Sequence, residues 1–129
     1  MSAPSPEARP PAIRFDDQCC GVCARQASGF GYAPKQRYGQ PAPPIMWVCE
    51  SDDCIRIARD SYSMTEPVFN RIEALAVAEG LDRGRDFAIS ISTADLAEMT
   101  DAQRLDFARA IVAGYRDALK VKLREEAPF

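Results

Sequence analysis

Apolar positions recur at helical spacing through the second half of the chain, and at strand spacing only in short runs. Val68, Ile72, Leu75 and Ala76 follow a 3.6-residue period, with Phe69 widening the stripe. Thr65, Glu66 and Pro67 supply a capping residue, an acid and a first-turn proline, which predicts a helix start there. Gly80 predicts its C-terminal stop. Residues 87–91 alternate and carry β-branched side chains, which predicts a short strand. Ser92 or Thr93 would cap a short helical segment over 94–99. Thr100 followed three residues later by Gln103 has the spacing of a capping box. The helix it opens should run to about Arg124. Its stripe is Leu105, Ala108, Val112, Tyr115, Leu119 and Leu123, broadened by Phe107, Ile111 and Ala118.

The first half reads differently. Residues 24–44 are rich in Gly, Pro, Gln and Tyr and predict a long loop or irregular hairpin. Ile45, Met46, Trp47 and Val48 follow a proline cluster and predict a strand. Residues 51–53 then offer a cap and first-turn acids. A helix should follow from about Asp53 to Ser61, with Ile55, Ala58 and Tyr62 on one face.

Composition narrows the function classes. The chain has 129 residues, 47% hydrophobic and 27% charged, as expected of a globular chain with one domain or two very small ones. No apolar run approaches the roughly 18 residues of a membrane span. Residues 1–12 are proline-rich and lack the apolar stretch of a secretory signal, so they read as a disordered tail. Net charge is −3. The acids concentrate after residue 60, and neither half has the strongly basic balance of a typical DNA-reading domain.

There are five cysteines and no histidine. Without an export signal the expected compartment is the reducing cytoplasm, where thiols serve as ligands or nucleophiles. The absence of histidine removes the commonest general base and the commonest ligand of catalytic metals.

Cys20-x2-Cys23, 25 intervening residues, then Cys49-x4-Cys54 is the strongest chemical signal. Short turns between paired cysteines bring two sulfurs within reach of one tetrahedral zinc ion, and two such pairs complete the site. Cys54 at a helix start is helped toward thiolate by free N–H groups and the helix dipole. Cys19-x3-Cys23 also fits the spacing. Cys20 is preferred because Gly21 after it makes the tighter knuckle. Four thiolates leave no open position, so the single zinc would be structural and supply folding energy. A knuckle, a hairpin-like connection and a pair split between strand and helix predict a treble clef, with a zinc ribbon as the alternative. A redox CxxC would need a thioredoxin-like βαβ setting, which the residues after Cys23 do not provide.

The expected fold class is therefore α+β and mainly helical. A small four-cysteine zinc finger occupies residues 13–63, and a helical region over 64–129 packs on it.

The loop raises a question of partners. Arg25, Phe30, Tyr32, Lys35, Arg37 and Tyr38 interleave cations and aromatics without an acid, and Arg56 and Arg59 on the next helix extend the patch. Such a surface can grip single-stranded nucleic acid or a protein. The plainer reading is that the cations offset a doubly negative zinc–thiolate centre and the aromatics cover it. An enzyme is the other class, and it would have to use Cys19 or the Asp16–Asp17 pair, neither with a visible base. The C-terminal stripe is read as core, with homodimerisation as a second use.

The run Cys20 to Cys23, then residues 27–32, then Trp47 to Ile55, resembles a family of small uncharacterised proteins carried by prophages and other mobile elements of proteobacteria. Residues 93–97, Phe107, Gly114, Tyr115, Pro128 and Phe129 resemble the C-terminal part of the same family, which typically has a Trp near Leu105. The resemblance implies zinc binding and a mobile-element origin, and no established activity.

Overall fold

The computed structural model describes residues 13–126. The proline-rich segment 1–12, expected to be disordered, and the closing residues 127–129 lie outside the described residues. The chain forms strands β1 (Phe30–Tyr32) and β2 (Met46–Val48), then helices α1 (Asp52–Ser61), α2 (Glu66–Ser90) and α3 (Asp101–Glu126). A 3-10 turn at Leu96–Glu98 joins α2 to α3. The strands pair antiparallel with Gly31 opposite Trp47. This is the mainly helical α+β class expected: a two-stranded hairpin and a helix around four buried cysteines, then two long helices.

The local signals for helix starts act only in part: Ser51 and Thr65 stand at the N-caps of α1 and α2, but neither side chain makes a capping hydrogen bond. Pro67 sits in the first turn of α2, behind Thr65 in extended conformation. At α3 the capping box is reciprocal. The Thr100 N–H donates to Gln103 Oε1 at 3.0 Å, and the Gln103 N–H donates to Thr100 Oγ1 at 3.1 Å. At the 3-10 turn the cap is Asp95, not Ser92 or Thr93. Its carboxylate accepts the Ala97 N–H at 2.9 Å, while Thr93 Oγ1 accepts from the Asp95 N–H.

Two expectations fail at the far end of α2. Residues 87–91 are not a strand: 87–90 form the last helical turn, and the Ile91 N–H closes it onto Phe87 O at 3.2 Å. Gly80 does not stop the helix. It lies mid-helix, without the positive φ of a C-terminal cap, and faces α3. A Cβ on Gly80 would lie 2.6 Å from Ile111 O, and one on Gly84 would lie 2.6 Å from Ile111 Cγ1. The glycines let two helices approach backbone to backbone, so packing outweighs their poor helix propensity.

That approach also sets the phase of α3. Phe107, Ile111, Gly114 and Tyr115 meet α2, with Phe87 and Phe107 rings 6.4 Å apart. The predicted stripe divides. Leu119 and Leu123 are buried in a core shared with Ile57 and Ala58 of α1, Val22 and Met46. Leu105 and Val112, 56% and 43% exposed, lie beyond that core. On α1 the buried face is Cys54, Ile57, Ala58 and Ser61, and Ile55 points outward. The metal-site cysteine and the aliphatic Ile57 and Ala58 thus share the inward face of that helix.

Arg14 ties the chain entry to the α1–α2 turn. Its guanidinium donates to the carbonyls of Met64, Ser61 and Tyr62 at 2.9, 3.2 and 3.0 Å, and lies over the Phe69 ring. It caps the C-terminal end of α1 with a fixed positive charge.

Candidate metal centre

Two knuckles converge on one point. In the first, the Cys20 N–H donates to Arg25 O at 2.7 Å and the Ala24 N–H to Cys20 O at 2.9 Å. Ala24 takes a positive φ of 62° to close the turn. The Val22 N–H points at Cys20 Sγ, 3.4 Å away. Gly21 is pressed against β2: its N–H donates to Trp47 O at 2.8 Å, and a Cβ there would lie 2.7 Å from Met46 Cγ. The second pair straddles the end of β2 and the first turn of α1. This split is the treble-clef arrangement and not the second knuckle of a ribbon.

The ligand atoms of Cys20, Cys23, Cys49 and Cys54 all lie within 4.8 Å of one another, and all four residues are buried. Cys23 Sγ is 3.5 Å from Cys49 Sγ, and Cys49 Sγ is 3.6 Å from Cys54 Sγ. A tetrahedron with zinc–sulfur bonds of about 2.3 Å has sulfur–sulfur edges of roughly 3.8 Å. The cluster is therefore of the size that a single tetrahedral ion spans. A set of four sulfurs suits zinc or iron, and nothing in it suits a hard oxygen-seeking cation. Cys19 stands outside the cluster, half-buried, in an isolated bridge with Gln26.

Packed this closely, the sulfurs compete for protons. Hydrogen bonds from Cys20 and Cys54, with support from Arg25, hold Cys23 far below the usual thiol range. Hydrogen bonding with its sulfur neighbours, Cys20 foremost, together with burial, pushes Cys54 up. Cys20 is raised for the same reason, chiefly by Cys23. A divalent cation resolves this competition by taking all four as thiolates.

Charged neighbours surround the cluster. The Arg25 guanidinium is held above its usual range, chiefly by Cys23, and lies 3.6 Å from Asp117 of α3. Lys120 Nζ lies 2.7 Å from Asp53 Oδ1. Burial alone would lower Lys120, but Asp53 and the sulfurs of Cys54 and Cys23 outweigh it and raise it. The Lys120 contact in turn holds Asp53 below the usual carboxylate range. Reading the sequence missed Lys120, Asp53 and Asp117. Only their alternation with opposite charges hinted at pairing, and it gave no partner.

The remaining predicted partner residues differ in exposure and in contacts. Phe30 is 74% exposed, and Tyr38 is fully exposed. Tyr32 is half-buried, its ring edge-on to Tyr62 at 5.5 Å. Lys35, Arg37 and Arg56 are exposed, with no ion-pair partner among the described residues. Arg59 pairs with Asp60 at 3.2 Å. Asp16 and Asp17 each accept a hydrogen bond from Gln18, at 2.8 and 3.1 Å.

Among the described residues no helix is long and apolar enough to cross a membrane. No protein-family model, no curated protein and no solved structure matches this chain.

Proposed function

We propose that this chain is a non-enzymatic interaction protein, built on one structural zinc ion and carried by a phage or other mobile element. Cys20, Cys23, Cys49 and Cys54 hold the ion, and the surface of loop 24–44 and α1 docks on a partner protein. The observation that carries the reading is the burial of four sulfurs within 4.8 Å of one another. A four-thiolate site has no open position for substrate, so its contribution is folding energy, on the order of 10 kcal/mol in small zinc units. The thiols suit a reducing compartment, which makes the cytoplasm the expected location. The mobile-element origin rests on the motifs at Cys20–Ile55 and at residues 93–97.

A protein partner is favoured over nucleic acid by the state of the side chains. Of the cations in the patch, Arg25 and Arg59 already face acids. Phe30 and Tyr38 present aromatic surface to solvent, and exposed aromatics are the residues that anchor protein interfaces.

Elemental analysis of the purified chain tests the metal. One zinc per chain, lost in Cys20→Ser and Cys49→Ser and kept in Cys19→Ser, supports the site. No metal, or zinc unaffected by Cys49→Ser, overturns it, and iron in its place reassigns the ion. Titration with a single-stranded oligonucleotide across salt concentrations tests the partner. Tight binding with a steep salt dependence, lost in Lys35→Ala and Arg37→Ala, would replace protein by nucleic acid. Weak binding that is indifferent to those substitutions supports a protein.

A further inference from the structure

We propose that α3 is an electrostatic clasp across the metal centre, with Lys120 and Arg25 as the outer cations that hold the ion in place. The proposal rests on the zinc reading above and adds a means by which the helical hairpin controls metal retention.

Three observations converge. Asp117 and Lys120 lie three residues apart, within one turn of α3. Asp117 reaches Arg25, two residues after Cys23, and Lys120 reaches Asp53, immediately before Cys54. One turn of α3 therefore ties both halves of the ligand set, and it does so through residues next to the ligands. Leu119, fully buried between these two positions in sequence, seals the same region of α3 into the core that contains Cys20, Cys23 and Cys54.

The physical need is clear. Zinc with four thiolates carries two net negative charges, and burying them is costly unless cations or N–H donors approach. Lys120 is only 20% exposed, so its attraction to the sulfurs is poorly screened. Arg25 stands two residues after Cys23, at the close of the first knuckle, where its carbonyl accepts the Cys20 N–H. Asp53 and Asp117 hold these two cations in position. Groups in this outer position commonly change metal affinity ten- to a hundred-fold. The coupling runs both ways. The ion anchors the clasp, and undocking of α3 exposes the centre to competing ligands.

The structure also supplies a matched control. Lys122 is 25% exposed and pairs with Glu79 of α2 at 3.0 Å, so it joins α3 to α2 and not to the zinc unit.

The test is the rate of zinc transfer from the full-length, metal-loaded chain to a chromogenic chelator. Lys120→Met should release zinc roughly ten-fold faster or more, Lys122→Met at the wild-type rate, and Lys120→Arg close to it because the charge is kept. Lys120→Gln replaces the methionine variant if that one does not fold. A cobalt-substituted chain adds a readout that a merely structural role would not move. Without the cation the sulfurs give up electrons more easily, so the thiolate-to-cobalt band should shift to lower energy in Lys120→Met and stay in place in Lys122→Met. One zinc per chain with equal release from the two methionine variants overturns the clasp alone. A wild-type chain without zinc overturns the metal reading and the clasp with it.

Discussion

A Cβ on Gly114 would lie 3.0 Å from the Cα of Gly80. Two helices of 25 and 26 residues meet here with no side chain between their backbones. Alanine at either position should raise intrinsic helix propensity by about 1 kcal/mol. Steric overlap at the contact should cost more, with a net loss of about 1–3 kcal/mol. Urea denaturation of Gly80→Ala and Gly114→Ala measures this. The double variant should lose less than the sum, because both methyl groups spoil one contact. A gain in stability in either single variant would show that the helices do not approach this closely.

Arg14 holds three carbonyls at the α1–α2 turn, and burial lowers its pKa. Arg14→Leu should lose about 2 kcal/mol, since charge-assisted hydrogen bonds are the stronger class. Arg14→Lys should recover only part, because an ammonium lacks the planar fork that reaches several acceptors. Thermal unfolding of the three chains gives the ranking.

Burial, reinforced by the negative charge of the neighbouring Glu73, holds Tyr115 above the usual phenol range. Its folded pKa exceeds the unfolded value of about 10. The contribution is therefore complete below about pH 10 and is lost as pH rises above it. Denaturation midpoints between pH 8 and 11 should fall at the alkaline end in wild type and fall less in Tyr115→Phe.

Thr100→Ala removes the side-chain half of a reciprocal cap at an exposed helix start. The expected cost is about 1 kcal/mol. Hydrogen exchange should show faster opening of the first turn of α3 and unchanged protection near Leu119.

Chelation of the metal should act on the two halves unequally. Residues 20–61 depend on the cluster for their core, so their amide protection should collapse. The contact of α2 with α3 around Gly80 and Gly114 involves no cysteine, so protection there should outlast it. Simultaneous loss across both halves would show a single cooperative unit.

The chain's own order of residues determined the features that depend on near neighbours. A reciprocal cap needs only Thr100 and Gln103 three residues apart, and a helix start needs only Thr65, Glu66 and Pro67 in sequence. The clustering of Cys20, Cys23, Cys49 and Cys54 was legible too, because paired sulfurs on tight turns have few other uses, and Gly21 marked the closer knuckle. What the tertiary structure decided depends on who stands opposite. Gly80 and Gly84 look like interruptions until α3 lies against them, and residues 87–91 alternate like a strand until Phe107 meets Phe87. Leu119 is core and Leu105 is surface on the same predicted stripe, because the zinc unit covers only one end of α3. Lys120 resembles any solvated lysine until the fold sets it beside Asp53, the residue before Cys54. Local hydrogen bonds are written in spacing, whereas burial and long-range charge pairing exist only after distant segments have met.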